Sequence, residues 1–505
     1  MPIRPPTKED LRELGEELFL DLTEEELAFF ANMAEQRTDT YETVMSRYPE
    51  PRLGGVERRE RSSGRRVSDS EDPHNAWITQ CYVRGDEGGQ LDGWDVGVKD
   101  NVFVAGVEMT CGSQVMEGFV PNRDATVVTR ILEAGADVVG KTNMDDMAMT
   151  TTGHSAFGPI LNPYNEDRLS GGSSGGSAVA VATGDVDVAL GSDQGGSIRI
   201  PAAFCGVVGH KPTYGLVPYT GCIGIEHTID HPGPIGPDVE SVARTLTALA
   251  GSNEQDLRSH APVPTEQYED ALDGDVSDLS IGILEEGFTQ SNAETAVLET
   301  TRDALDVLAE RGATLEDVSV PMHADAGDIH SVCATEGLLD AMRGEGLGHG
   351  WKAWYSRSWV EMFGKIRRTQ ADDFPPTLKL MLLLGAYTNR EYHSQYYAHG
   401  MNLVVEMTER YDEALETYDL LAMPTTVTSA PEHRPDQDPY ERLQEPAVVA
   451  NTEPFNRTGH PGVSVPAGMV DECPVGLMLV GARFDDATVL NAAHAVESEI
   501  SVPSV

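Results

Sequence analysis

Two glycine- and serine-rich turns separated by a short apolar stretch constrain this chain more than any other feature. They lie between Gly171 and Pro212, and the serines Ser173 and Ser197 stand 24 positions apart. The alanines and valines between them predict one short buried helix followed by a strand. Glycines beside a serine let the backbone take unusual dihedral angles. The pattern therefore predicts a fold that brings two serine turns together, as a nucleophile and its activator.

A lysine at the end of an apolar segment adds a base to this pattern. Lys99 follows Trp94–Val98, whose alternation predicts a strand that leads into the core. Burial disfavours the charged ammonium group and lowers its pKa, so a buried lysine can accept a proton. The chain has seven lysines against 29 arginines. A lysine at an inward-leading strand end is therefore unusual for this sequence, because isolated lysines are nearly always solvated.

From Gly97 to Pro218 the sequence resembles the amidase signature family almost continuously. Three separated motifs carry the resemblance, namely GVKDN around Lys99, GGSSGGS around Ser173 and DQGGSIR around Ser197. The resemblance implies a Ser–Ser–Lys triad in which Ser197 is the nucleophile, Ser173 lies in a cis peptide and relays the proton, and Lys99 is the base. It also implies a set of supporting residues, which are the oxyanion-hole residues Gln194, Gly195 and Gly196 and the bracing residues Asp193 and Arg199.

Within the family, the sequence motifs are most similar to those of nitrile-hydratase-linked acylamide amidases. Residues 193–197 (DQGGS), 228–231 (TIDH) and 456–461 (NRTGHP) carry this narrower resemblance. Relatives often read SSSG where residues 173–176 read SSGG, a departure that leaves Ser173 unchanged. The resemblance implies an amidase that converts a carboxamide to a carboxylic acid and ammonia through a Ser197 acyl-enzyme. It also implies a small-molecule amide substrate, no cofactor and a homodimer.

The order of predicted elements indicates an α/β fold. Strands, helices and glycine turns alternate from residue 76 to about 250, as such a sheet requires. The resemblance implies an amidase signature fold with a mixed central sheet and helices on both faces. The predicted divisions are a helical extension and linker (1–75) and an amidase domain (76–505), with a catalytic core at about 76–260 and 419–505 and a helix-rich substrate-pocket region at about 322–418.

The N-terminal residues 1–50 are expected to be helical. Thr7 and Asp10 resemble a capping box, and Thr23 and Glu26 form a complete one. Residues 51–75 are predicted to be a polar linker, either solvated or docked on an acidic surface of this chain or of a sister protomer. Its arginines are Arg52, Arg58, Arg59, Arg61, Arg65 and Arg66.

An excess of acidic residues runs along the whole chain. Its 505 residues include 83 Asp and Glu against 36 Lys and Arg, for a formal net charge of −47. Such self-repulsion destabilises a compact fold in dilute buffer, whereas at molar salt the Debye length falls to about 3 Å and the repulsion is screened. We interpret the composition as adaptation to a salt-rich cytoplasm. The same charge argues against nucleic-acid binding.

Cysteines, histidines and hydropathy argue against a disulfide-linked, metal-binding or membrane-spanning protein. The six cysteines contain no CxxC pair, which favours reduced thiols in a cytoplasm. The fourteen histidines have no metal-ligand spacing, so we predict no metal. No window reaches the roughly 18 apolar residues of a membrane span, so a soluble protein is expected. Structural hydrogen bonds are the predicted role of the histidines that flank the motifs, which are His154, His210, His227 and His231.

Three other functions stay open. The glutaminase-type subunit of a tRNA-dependent amidotransferase shares the triad, although the N-terminal extension and Gln194, where that subunit commonly has Thr, argue against it. Gly171–Gly175 formally fits the G-x-S-x-G pattern of a Ser–His–Asp esterase, which would make Ser173 the nucleophile and require a histidine. A phosphate binder would use the glycine-rich loop at a helix N-terminus, but there is no GxxxxGK[ST] motif and the net charge repels phosphates.

Overall fold

The computed structural model describes residues 3–47, 59–68, 70–259, 261–444 and 448–505. The chain divides into two compact units, Met1–Gly55 and Val56–Val505. In the first unit, two helices begin at the predicted caps. The Thr7 hydroxyl accepts the N–H of Asp10, and the N–H of Thr7 donates to the Asp10 carboxylate in return. In the same way, the N–H of Glu26 donates to the Thr23 hydroxyl at 3.3 Å. The helices of this unit are α1 (Lys8–Glu17) and α2 (Glu24–Arg47).

The second unit is built on one large mixed sheet. Among the described residues, twelve strands form it in the order β1-β2-β4-β3-β7-β9-β8-β13-β14-β12-β10-β11, and β5 and β6 pair separately. The strands are β1 (Arg65–Arg66), β2 (Trp77–Val83), β3 (Asp95–Lys99), β4 (Asp137–Thr142), β5 (His154–Ser155), β6 (Gly158–Pro159), β7 (Val188–Asp193), β8 (Val208–Lys211), β9 (His231–Gly236), β10 (Ser280–Leu284), β11 (Thr314–Val318), β12 (Leu420–Pro424), β13 (Gly462–Val470) and β14 (Cys473–Gly481).

Helices cover both faces of this sheet. Along β8, the Cβ position of Gly209 faces Ala202 at 2.7 Å, whereas the next residue, His210, bonds to Asp486 at 2.9 Å. Successive strand residues point to opposite faces, so the helices that carry Ala202 and Asp486 lie on opposite sides. The helices are α3 (Thr126–Glu133), α4 (Gly175–Ala182), α5 (Arg199–Cys205), α6 (Val239–Leu249), α7 (Thr295–Glu310), α8 (Ala326–Arg343), α9 (Arg357–Thr369), α10 (Pro376–Tyr392), α11 (Gln395–Leu415), α12 (Pro454–Thr458) and α13 (Asp486–Glu497).

The sequence correctly predicted the fold class and the elements on either side of the serine turns. The apolar stretch between Ser173 and Ser197 forms α4 and β7, and all but one residue of those two elements are buried. The expected strand before Lys99 is β3, and the C-terminal motifs return the chain to the sheet as β13 and β14. The apolar patterns therefore identified which segments enter the core.

The arginine-rich segment joins the second unit, although the sequence placed the boundary at residue 75. Arg65 and Arg66 form β1, which pairs with β2, and Arg61 forms an ion pair with the buried Asp124. Arg59 pairs with Asp86 at 2.7 Å. These bonds attach the described part of the segment to acidic groups of its own unit. Arg52 and Arg58 lie outside the described residues.

Two further sequence expectations concern cysteines and hydropathy. All six cysteines are buried and form no disulfide. Among the helices of the described segments, none combines the length and the apolar character that a membrane-spanning helix needs.

Candidate active site

The carboxyl ends of three neighbouring parallel strands bring the predicted site residues to one edge of the sheet. Strand β3 runs parallel to β4 on one side and to β7 on the other. Lys99 is the last residue of β3 and Asp193 is the last residue of β7, and Asp145 follows β4 by three positions. Crevices at the carboxyl ends of such strands are the usual ligand sites of α/β sheets.

Lys99 is fully buried beside Ser173. Its Nζ atom donates to the Oγ atom of Ser173 at 2.8 Å and to the backbone oxygen of Ser192 at 3.2 Å. Burial lowers the pKa of Lys99 from 10.5 to about 7, although the negative charges of Asp145 and Asp193 oppose the shift. A large fraction of Lys99 is therefore neutral near pH 7, so the amine can accept a proton from the hydroxyl that it contacts.

The two serine turns contact each other directly. The peptide bond between Gly172 and Ser173 is cis, and the N–H of the next residue, Ser174, donates to the backbone oxygen of Ser197 at 3.1 Å. Ser173 is fully buried, whereas Ser197 is 3% exposed and lines a cavity. The hydroxyl that a substrate can reach is thus Ser197, and Ser173 lies behind it against Lys99.

A buried ion pair holds the turn that carries Ser197. The guanidinium of Arg199 donates to both carboxylate oxygens of Asp193 at 3.0 Å, and the Asn456 amide donates to Asp193 Oδ1 at 2.9 Å. Burial would raise the pKa of Asp193, but the charge of Arg199 and the hydrogen bonds from Arg199 and Asn456 hold it well below the usual range. Asp193 therefore stays ionised and keeps the turn in place.

Gly196 has a different contact from the one that the sequence predicted. Its N–H donates to Asp193 Oδ1 at 2.7 Å, so this group is engaged within the protein. Its φ of 133° favours glycine, and a Cβ atom there would overlap the side chain of Thr452. The N–H groups of Gln194, Gly195 and Ser197 have no acceptor among the described residues. Those three donors are left available next to the cavity.

Asp145 holds the segment at residues 152–153 next to the Ser173 turn, a role that was not predicted from the sequence. Its carboxylate accepts the N–H groups of Thr152 and Gly153 at 3.0 Å, and its own N–H donates to the Ser173 backbone oxygen at 3.3 Å. A Cβ atom on Gly172 would collide with this carboxylate. Its position just beyond β4, parallel to the lysine strand, is the signal that sequence reasoning overlooked.

The cavity beside Ser197 has a volume of about 360 Å³. Most of its described wall is apolar, and helices α8 and α10 supply part of it. The resemblance implied that the helix-rich region at about 322–418 shapes the pocket, and α8 and α10 belong to that region, whereas its Trp351 and Trp354 line a separate cavity of about 60 Å³. The apolar side chains around Ser197 are Ala148, Met149, Ile225, Ile229, Ala334, Met381, Leu443, Val448 and Val449.

The histidines near the motifs each make a hydrogen bond within the protein. Nε2 of His227 bonds to the Leu347 carbonyl at 2.6 Å, and Nδ1 of His231 bonds to the Ile229 carbonyl at 2.7 Å. Nδ1 of His154 bonds to a threonine hydroxyl, and His210 bonds to Asp486 as described above. None of these four lines the cavity beside Ser197. The Ser173 hydroxyl bonds to the Lys99 amine and to no histidine of the described segments, which disfavours a Ser–His–Asp esterase with Ser173 as nucleophile.

Comparisons with known proteins identify the family. The Amidase family model matches residues 72–490. The chain is 43% identical over 432 residues to a glutamyl-tRNA(Gln) amidotransferase subunit of Natronomonas pharaonis, a match that covers 84% of this chain and 99% of that protein. It is 38% identical over 512 residues to an enantioselective amidase of Rhodococcus rhodochrous, covering 98% of this chain and 96% of the relative.

A solved structure is similar over the same region. The crystal structure of a glutamyl-tRNA(Gln) amidotransferase subunit from Thermotoga maritima has a TM-score of 0.70 and 32% sequence identity, and the match covers 85% of this chain and 88% of that one. The match of the family model and the similarity of these relatives extend over most of the chain. The protein therefore belongs to the amidase signature family, as a hydrolase that acts on amide C–N bonds.

Proposed function

We propose that this enzyme hydrolyses a primary carboxamide to a carboxylic acid and ammonia through an acyl-enzyme on Ser197. The observation that carries the proposal is the bond from Lys99 to Ser173, in a fully buried pair whose turn is hydrogen-bonded to the turn of the cavity-lining Ser197. A hydroxyl accepts and donates a hydrogen bond at the same time, so Ser173 can pass a proton in either direction. Lys99, Ser173 and Ser197 are thus the catalytic residues of the proposal.

The proposed reaction has two halves. The Oγ atom of Ser197 attacks the amide carbon while its proton passes through Ser173 to Lys99. The same proton then returns to the leaving nitrogen, the C–N bond breaks and ammonia departs. A water molecule next attacks the Ser197 ester, and the relay again accepts and returns a proton to release the acid.

Backbone donors next to Ser197 would stabilise the oxyanion. We assign this role to the N–H groups of Gln194, Gly195 and Ser197, which have no acceptor among the described residues. Gly196 supports them through its bond to Asp193 instead of donating to the substrate. Donors of this kind are typically worth roughly 100- to 1000-fold in rate each.

Two physiological roles use this chemistry. The identities of 43% and 32% to amidotransferase subunits favour the second role weighed from the sequence, a glutaminase-type subunit that supplies ammonia to a protein partner. By themselves the comparisons support that role better than a free-standing acylamide amidase. The amidase role is supported by the match to the Rhodococcus enzyme over 98% of the chain and by the apolar wall of the cavity. A homodimer is proposed for this role.

One experiment tests the chemistry and separates the roles. Ammonia release is measured from aliphatic and aromatic carboxamides and from glutamine, in multimolar KCl, with wild type and Ser197→Ala. The proposed chemistry requires release from at least one amide, and Ser197→Ala should lower it by roughly 10⁴-fold or more. Release from simple amides by the isolated chain supports the amidase role. Release from glutamine alone, with co-purification of a tRNA-binding protein, supports the subunit role.

A variant result would refute the mechanism. If Ser197→Ala keeps more than a few per cent of the wild-type rate, Ser197 is not the nucleophile. A Ser197→Ala variant that melts like wild type excludes unfolding as the cause of lost activity.

A further inference from the structure

Two polar side chains on the cavity wall lack hydrogen-bond partners among the described residues. Glu453 and His330 both line the cavity that contains Ser197. Glu453 precedes α12 and His330 lies on α8, so the two come from distant parts of the chain. Buried polar groups in folded proteins nearly always have partners, and an unpaired one costs free energy. The pair therefore indicates that a ligand supplies the missing contacts.

Glu453 is the more deeply buried of the two. It is 6% exposed, and its carboxyl group makes no hydrogen bond or ion pair with any described residue. Gly327 leaves room for it, since a Cβ atom there would lie 3.0 Å from Glu453 Oε1. Burial raises the pKa of Glu453 well above its usual value, while Arg457 opposes the shift and Asp328 adds to it. The carboxyl group therefore favours its protonated form when the cavity is empty.

His330 faces the same point of the wall. Its Nδ1 atom is buried without a partner among the described residues. Burial, assisted by the charge of Arg457 and opposed by Asp193, holds the pKa of His330 well below its usual value. The imidazole is therefore neutral, with one nitrogen that donates and one that accepts.

The Cβ atom of Glu453 and the Nε2 atom of His330 lie beside Gly195, two residues before Ser197. A Cβ atom on Gly195 would lie 3.8 Å from Glu453 Cβ and 3.9 Å from His330 Nε2. The N–H of Gly195 is one of the donors that we assign to the oxyanion, so the substrate carbonyl must lie against this residue. A substituent on the carbon next to that carbonyl is then placed within reach of both side chains.

We propose that Glu453 and His330 form a recognition subsite for an amino group on the carbon next to the scissile carboxamide, so that the preferred substrates are α-amino amides. This inference rests on the proposed function, because it uses the position of the acyl carbon on Ser197. A carboxyl group and a neutral imidazole can each accept a hydrogen bond, which suits an amine with several N–H donors. The carboxyl and the amine share one proton, so the filled subsite carries no net charge.

The same geometry predicts discrimination between enantiomers. The carbonyl is held by the backbone donors, the amino group by the polar pair, and the side chain of the substrate by the apolar wall. Exchange of two substituents at the α carbon would move the amino group away from Glu453 and His330 and toward the mainly apolar remainder of the wall. One enantiomer is therefore favoured by roughly the worth of a charge-assisted hydrogen bond, about 10- to 100-fold in kcat/KM.

The test compares leucinamide with isocaproamide, which differs only by lacking the amino group. Wild type should have a kcat/KM for one leucinamide enantiomer at least about 10-fold above that for isocaproamide. Glu453→Gln and His330→Gln should each remove most of this preference and of the enantiomer preference, while leaving kcat/KM for isocaproamide within about threefold. Glu336→Gln is the matched control, because Glu336 is also 6% exposed but lies outside the cavity wall.

The outcomes separate the subsite from the proposed function. Ser197-dependent hydrolysis of isocaproamide without a preference for leucinamide overturns the subsite and leaves the proposed chemistry intact. Equal loss on both substrates in Glu453→Gln and His330→Gln also overturns the subsite. Absence of ammonia release from every amide overturns both. If Glu453→Gln gives no cooperative melting transition, the less buried His330→Gln decides the result.

Discussion

The pH dependence of turnover should report the ionisation of Lys99. The relay needs this amine neutral, and burial lowers its pKa to about 7. For a single base with that pKa, about a tenth of the enzyme is active at pH 6 and about nine-tenths at pH 8. The value of kcat/KM should therefore rise about tenfold between these pH values and remain nearly level above pH 8. An ordinary solvated lysine would place the same rise near pH 10.4.

The measurement is ammonia release at subsaturating substrate from pH 5 to pH 10, at constant KCl concentration. Two buried carboxyl groups outside the relay, Asp146 and Asp230, have pKa values that burial raises to about 6. The variants Asp146→Asn and Asp230→Asn are therefore the controls, and both should keep the rise near pH 7. A rise that disappears in either variant, or that occurs below pH 5.5 or above pH 9 in wild type, would refute the argument for Lys99.

The same ionisation affects stability with a defined sign. The folded-state pKa of Lys99 lies below the unfolded value of 10.5, so the unfolded chain binds the proton more tightly. Lys99 thus destabilises the fold below about pH 7, and this penalty is lost as the pH rises toward 10.5. Relative to Lys99→Met, the free energy of unfolding of wild type should increase by about 5 kcal/mol across that window. Urea unfolding of both proteins at pH 6, 8 and 10 measures the difference.

Three further predictions follow from the glycine turn, the buried ion pair and the net charge. Gly196→Ala should lower kcat by about 100-fold or more, because the added Cβ atom overlaps Thr452 beside the proposed oxyanion donors. The control is Gly184→Ala, which is also at positive φ but has open space around it and should keep wild-type kcat. Arg199→Met should lower the free energy of unfolding by about 3–5 kcal/mol, because it leaves the Asp193 carboxylate buried without its cation, and a loss below 1 kcal/mol in denaturant titrations would contradict this. Because the chain has a net charge of −47, dialysis from multimolar KCl to dilute buffer should lower both its melting temperature and its activity. An unchanged melting temperature would contradict the proposed salt adaptation.

Local sequence predicted the elements that carry the proposed reaction centre, because its residues lie where strands end or helices begin. The apolar run before Lys99 and the glycines around Ser173 and Ser197 are visible within short windows. Parallel strands bring their carboxyl ends to one edge, so these local features meet in space. Glycine content showed that the turn at 194–197 is unusual. It did not show that the N–H of Gly196 is bonded to Asp193, since that depends on the dihedral angles of the turn.

The cavity and the braces of the turn could not be predicted in the same way. Asn456 donates to the backbone oxygen of Asp193 across 263 positions of sequence, and no local pattern sets such a contact. His330 and Glu453 become neighbours of Gly195 only through the packing of α8 and α12 on the site. The helix-rich region was expected to shape the pocket, but the sequence did not show which side chains there reach the cavity, and Trp351 and Trp354 do not line it. Smaller residues of α8 and α10 reach the cavity instead.

The physiological role therefore depends on a different part of the molecule from the part that identifies the family. Both roles under consideration need Lys99, Ser173 and Ser197, so similarity around these residues weighs equally for each. A glutaminase must hold a small zwitterion, and an acylamide amidase must hold the acyl group of its own substrate. The described wall around Ser197 is mainly apolar, and it includes the polar side chains of Glu453 and His330. Because that wall contacts the substrate, relative values of kcat/KM for glutamine, isocaproamide and leucinamide weigh more for the role than further identity to either group of relatives.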